Sequence, residues 1–81
     1  MTLSAPVAAQ DFEKGEAAFR AGDFSKALQE WKPLAEAGDA KAQFNLGAVY
    51  QKGVLQDHRE SLKWYTLAAK QGNSLAQIVL G

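Results

Sequence analysis

Among its 81 residues the chain has no cysteine, one histidine, one methionine and two prolines. Without cysteine there is no disulfide staple, no thiolate metal site and no cysteine nucleophile. The compartment stays open, because a chain without thiols is indifferent to redox conditions. A zinc site needs three or four convergent ligands, and one histidine without cysteine makes a poor start. Charge of one sign is also lacking: nine basic residues balance nine acidic ones. The basic residues run evenly from Lys14 to Lys70, whereas a nucleic-acid binder needs a concentrated positive field. No apolar run approaches the ~20 residues of a membrane helix. No alternating apolar pattern marks a strand, and no glycine-rich phosphate loop follows one, so nucleotide binding has no support. What is present is an apolar fraction of 47%, ordinary for a folded domain or a piece of a larger one.

The dominant signal is internal repetition. Residues 42–47 read Ala-Gln-Phe-Asn-Leu-Gly and residues 76–81 read Ala-Gln-Ile-Val-Leu-Gly, an offset of 34. The same offset pairs Gly38 with Gly72, Ala35 with Ala69, Leu28 with Leu62, Asp23 with Asp57 and Trp31 with Tyr65. An offset of 32 places Phe12 and Gly15 on Phe44 and Gly47. The two missing residues fall in the turn, Ala21-Gly22-Asp23 against residues 53–57, where length changes cost little. Residues 11–39 and 40–73 therefore form two units. Residues 74–81 open a third.

Each unit predicts two helices. Phe24, Ala27, Leu28, Trp31, Leu34 and Ala35 recur at steps of three and four, with Leu62, Tyr65, Ala68 and Ala69 as the counterpart stripe. Asp23 and Asp57 are placed as N-caps, and Gly38 and Gly72 close the second helices. Gly22 and Gly53 break the chain inside each unit. Gly15, Gly47 and Gly81 each cost ~1 kcal/mol of helix propensity against alanine. A cost repeated at one register implies close approach of the partner helix, beneath a Trp or Tyr ring. Pro33 predicts a kink. The fold class is all-α: a solenoid of antiparallel helix pairs, about two and a half repeats long.

The pattern resembles the Sel-1-like repeat family, related to tetratricopeptide repeats. The residues that carry the resemblance are Ala42 to Gly47, Tyr50, Gly53, Gln56-Asp57, Leu62 to Tyr65 and Ala68 to Gly72. The first unit leans to the tetratricopeptide form through Gly22-Asp23-Phe24-Ser25-Lys26-Ala27-Leu28. Two departures stand out: a shorter turn at Gly53-Val54, and Ser61 where alanine is usual. The cysteine pairs of some exported relatives are absent, so their ligand binding is not carried over. The resemblance implies a non-catalytic scaffold that binds a protein or peptide on the concave face. The groove positions it implies are Glu16, Phe19 and Arg20, with Phe12 beside them, then Lys41, Phe44, Gln51 and Lys52, with Ala48 between. Asn45 is a further candidate, suited to an extended backbone.

No catalytic residue, cofactor or metal ligand is assigned. His58 reads as a loop-edge residue. Asp57, His58 and Ser61 lie within one helical turn, whereas a triad draws on separate segments and an oxyanion hole. Glu13 and Glu16 suit the α-helix dipole better than a cation. The aromatic residues sit at core spacing, except Trp64, which is expected at an edge because Tyr65 already takes the stripe.

Both ends carry expectations. Residues 1–10, with Ala-Pro-Val-Ala-Ala, read as a trimmed signal peptide or as a plain small-residue leader. The first reading points to an exported, periplasmic or secreted bacterial protein, the second to a cytoplasmic one. Leu75, Ile78, Val79 and Leu80 form an apolar end with no second helix to cover it. The alternatives to a heterologous binder are therefore a self-associating module, by dimer or domain swap through this end, and an accessory domain of a larger protein.

Overall fold

The computed structural model describes residues 11–52 and 57–81. The expected leader and the turn at Gly53 to Gln56 lie outside them. Five helices and no strand occur among the described residues: α1 (Phe12–Arg20), α2 (Phe24–Glu36), α3 (Ala40–Lys52), α4 (His58–Lys70) and α5 (Ser74–Leu80). Each packs on the next in chain order. The all-α solenoid follows from that arrangement. No helix among the described residues is long and apolar enough to cross a membrane.

The helices begin where short polar side chains can satisfy free N–H groups. The Asp11 carboxylate accepts from the N–H groups of Glu13 and Lys14, and Asp57 does the same for Arg59 and Glu60. Asp23, Asp39 and Asn73 each accept from the N–H three residues on. Such caps contribute ~1 kcal/mol each. Three turns share one construction. Gly22, Gly38 and Gly72 all take positive φ, which a side chain would strain. The residue after each donates back to the carbonyl five positions earlier: Asp23 to Ala18 at 2.8 Å, Asp39 to Leu34 at 3.1 Å and Asn73 to Ala68 at 3.0 Å. One three-residue turn thus ends a helix and caps the next.

The core sits on two rings laid over two glycines. A Cβ at Gly15 would lie 2.6 Å from Cε2 of Trp31, and one at Gly47 would lie 2.8 Å from Cδ1 of Tyr65. Neither distance is tolerable, so a hydrogen at these positions is what lets the helices close. The polar edge of each ring is also held. Trp31 Nε1 donates to the Phe12 carbonyl at 3.0 Å, and the Tyr65 hydroxyl to Gln51 Oε1 at 2.9 Å. Successive pairs are tied by the glutamines of the Ala-Gln repeat. Gln43 Nε2 donates to the Ala35 carbonyl and Gln77 Nε2 to the Ala69 carbonyl, at 3.1 and 3.0 Å. Each adds a second donor to a carbonyl in the last turn of the preceding helix, which also accepts the N–H of the turn glycine, Gly38 or Gly72.

Two sequence expectations are corrected. Trp64 is not at an edge: only 5% of it is exposed, and it lies in the same buried cluster as Trp31, Leu34, Ala35 and Tyr50. Leu62 is 57% exposed and is not part of the packed stripe. Both follow from the rotation of α4. Its buried face is Ser61, Trp64, Tyr65 and Ala68, one residue round from the stripe expected. Helix α2 runs through Pro33 to Glu36 without a break.

Gly15→Ala is expected to lower stability by up to about 2 kcal/mol: overpacking against Trp31 costs ~1–3, and improved helix propensity offsets ~1. Urea unfolding checks this, and a variant as stable as the parent would show that the ring has room to move.

Candidate functional site

The two leading helices, α1 and α3, flank a small opening. Here Glu16, Phe19 and Arg20 of α1 face Asn45 and Ala48 of α3 across a pocket of about 120 Å³ with Trp31 in its lining. The lining follows from the ring-on-glycine contact. Trp31 must cross beneath α1 to reach Gly15, and so one part of it faces the gap between leading helices. Phe19 packs on it with centroids 5.8 Å apart and Phe24 packs edge-on against Phe19 at 5.3 Å. The volume is well below the ~300 Å³ at which small-molecule sites begin. It suits one side chain of a larger partner.

The eight groove residues expected from sequence fall into separate places. Glu16, Phe19, Arg20 and Asn45 come together around Trp31. Phe44 and Gln51 gather instead around Tyr65: the Phe44 ring is 5.2 Å from it, and Gln51 accepts its hydroxyl proton. These repeat the first arrangement one unit on, since Phe44 corresponds to Phe12 and Gln51 to Phe19. Lys41 places its ammonium 5.0 Å from the Phe12 ring centroid, a cation–π contact at one end of the groove. Lys52 is exposed at the end of α3, away from the pocket lining.

The residues weighed for catalysis are otherwise engaged. Asp57 caps α4, and Ser61 is buried with its hydroxyl donating to the Gly47 carbonyl at 2.9 Å. His58 is exposed. Among the described residues no three His, Cys, Asp or Glu side chains converge on a point.

A larger hollow of about 670 Å³ opens on the outer side, between α2 and α4. Ala35, Gln43, Tyr50 and Trp64 are its buried lining residues, and Lys32, Glu36, Glu60 and Lys63 carry its charge. Sequence reading missed it because its lining comes from three helices, and periodicity assigns each helix only one face. The one available signal was the aromatic pair Trp64-Tyr65, which cannot serve a single neighbour.

Burial pushes both phenols above their ordinary pKa near 10, and at Tyr50 the Glu60 carboxylate adds to it. The folded state thus holds its phenol protons more tightly than the unfolded state. The stability this contributes is fully present below about pH 10 and is lost as pH rises further. The expected result is a urea midpoint that falls above about pH 10, with tyrosinate absorbance developing later than in the unfolded chain. Phenols that ionise alike in both states would contradict it.

In comparison with known proteins, residues 40–73 match the Sel1 repeat family. Neither curated proteins nor solved structures give a match.

Proposed function

We propose, from the premise that residues 40–73 are a Sel1 repeat, that the chain is a non-catalytic scaffold holding a protein or peptide in the groove between α1 and α3. Sel1 repeats generally mediate protein–protein interaction, and the family is a non-catalytic scaffold repeat. The observation that carries the concave reading is the pocket at Trp31. It has an aromatic wall, a side-chain-sized volume and three polar groups at its mouth, Glu16, Arg20 and Asn45. An aromatic surface gives a partner side chain apolar contact at little entropic cost. The Asn45 amide offers both a donor and an acceptor to an extended backbone. Arg20 and Lys41 favour an acidic partner or a free C-terminal carboxylate.

The test is peptide-display selection against the whole chain, followed by binding to an Ala48→Trp variant. Ala48 lines the pocket and is half-buried, so a tryptophan there fills it without entering the Gly47 contact. The expected outcome is loss of binding of about tenfold or more, the scale of removing one well-seated anchor, with unchanged helical circular dichroism. Selected peptides that bind parent and variant equally would place the site elsewhere.

A second reading has its own support. On α5, Leu75 is 58% exposed, Ile78 73%, Val79 48% and Leu80 40%. Residues 71–81 carry no charged side chain, so two such faces can meet without like-charge repulsion. Self-association through this end would bury them. Sedimentation at increasing concentration should then show a dimer that Ile78→Glu returns to monomer. A monomer at all concentrations excludes it.

A further inference from the structure

The apolar part of the pocket between α1 and α3 offers a guest no hydrogen bond. Phe19, Trp31 and Ala48 form it, and the one polar atom among their side chains is committed: Trp31 Nε1 donates to the Phe12 carbonyl at 3.0 Å. The backbone groups of all three residues belong to helices. An amide, hydroxyl or charge that entered would lose its water and gain no partner, which is unfavourable. An apolar tip carries no such cost. Polar groups stand only at the mouth, on Glu16, Arg20 and Asn45.

Size narrows the choice further. The pocket measures about 120 Å³. At the ~30 Å³ that a water occupies in the liquid, this holds about four non-hydrogen atoms. Leucine and isoleucine carry four carbons beyond Cα. Alanine would leave most of the space empty, and an indole would not fit. One unit on, the lining is different in kind. The position of Phe19 is taken by Gln51, whose side-chain oxygen accepts the Tyr65 hydroxyl proton at 2.9 Å. The apolar seat thus belongs to the first interval between leading helices.

Charge around the seat has a sign. Of the groove positions, Arg20, Lys41 and Lys52 are basic and Glu16 alone is acidic. Arg20 lines the pocket itself and is exposed, so its guanidinium can meet a carboxylate beside the seated side chain. On the reading of this groove as the partner-binding face, we infer that the pocket seats a leucine or isoleucine side chain of an extended acidic segment of a partner protein, with an acidic residue next to that anchor set against Arg20. The Asn45 amide, at the same mouth, can hold the segment's backbone as donor and acceptor.

The experiment is a titration of the isotope-labelled chain with blocked hexapeptides, Gly-Gly-Xaa-Asp-Gly-Gly, in which Xaa is leucine, alanine, glutamine or tryptophan. A fifth peptide carries leucine with lysine in place of aspartate. The indole N–H of Trp31 and the side-chain amide of Asn45 report on the pocket. The leucine–aspartate peptide should shift both signals saturably, and Ala48→Trp should abolish that response. The alanine peptide should bind about tenfold more weakly, the scale of losing buried carbons. Glutamine, close to leucine in size, and tryptophan should also bind more weakly than leucine. Lysine for aspartate should weaken binding about threefold, the scale of one solvent-facing ion pair. Arg20→Gln should remove that difference and keep the preference for leucine over glutamine. A glutamine or tryptophan peptide that binds as well as leucine, and is lost in Ala48→Trp, would overturn the aliphatic anchor while leaving the groove reading in place. A leucine response indifferent to Ala48→Trp, a preference for lysine over aspartate, or no response to any of the five would overturn the inference as well. The display-selected peptides decide the groove reading on their own.

Discussion

The structure depends on one contact made twice: an aromatic ring laid on a glycine. Trp31 covers Gly15, and Tyr65 covers Gly47. Each glycine weakens its own helix by ~1 kcal/mol relative to alanine. Each ring returns more than that, because burying a side chain of this size contributes several kcal/mol. The contact also sets the distance and register between paired helices. Once the ring is seated, its polar edge falls beside a backbone carbonyl or an amide and is fixed by a hydrogen bond. The pocket between α1 and α3 inherits its aromatic floor from the same event, since the buried ring that reaches Gly15 also lines that gap.

Around that contact the chain needs little else to build a repeat. One turn, with a glycine at positive φ and an acidic or amide cap after it, serves both within the first pair and between pairs. One glutamine, Gln43 or Gln77, stitches each later pair to the helix before it. Neither device is available at α1, which has no preceding helix among the described residues. There the position of Gln43 is held by Asp11, whose carboxylate caps its own helix instead.

Most of this architecture was legible because repetition exposes it. The offsets of 34 and 32 singled out Gly15, Gly47 and Gly81, and their helix-breaking cost predicted a ring above each; Gly15 and Gly47 carry one, whereas a Cβ at Gly81 would meet only the Ile78 carbonyl of its own helix. The roles of Asp23 and Asp57 as caps followed from local chemistry alone. Part of the candidate groove was legible too: four of its eight residues meet around Trp31. Phe44 and Gln51 were separated from them because a groove that spans two units repeats its chemistry at each one. The failures share one cause. Periodicity gives a helix one buried face, but α4 touches two neighbours. Tyr65 turns toward Gly47 in its own pair, and Trp64 turns toward the pair before. The residue at Trp64's register in α2 is Glu30, which meets no earlier pair and forms an ion pair with Lys26 at 3.7 Å. Comparing 30 with 64 shows a charge replaced by an aromatic, a sign of an inter-unit contact that a single stripe could not express. Leu62 lost its place for the same reason, since turning Trp64 inward rotates Leu62 out.

The two units also separate what must repeat from what is free to differ. Glycine, ring, cap and turn recur because each is fixed by steric or hydrogen-bonding need. The groove positions do not: Glu16 corresponds to Ala48, Phe19 to Gln51 and Arg20 to Lys52. Phe19 and Gln51 each meet the ring of their own unit, one by stacking on Trp31 and one by accepting the Tyr65 hydroxyl proton, so that position differs in chemistry while still serving the fold. Glu16, Ala48, Arg20 and Lys52 touch neither ring nor cap, and their side-chain chemistry is the part set independently of the fold. The outer hollow is different in kind. Its buried lining residues, Ala35, Gln43, Tyr50 and Trp64, are themselves part of the packing between pairs, so its shape is coupled to the stacking of units. A partner engaging the groove would read side chains on rigid helices. A partner engaging the hollow would hold one pair against the next, and would thereby stabilise the stack it binds.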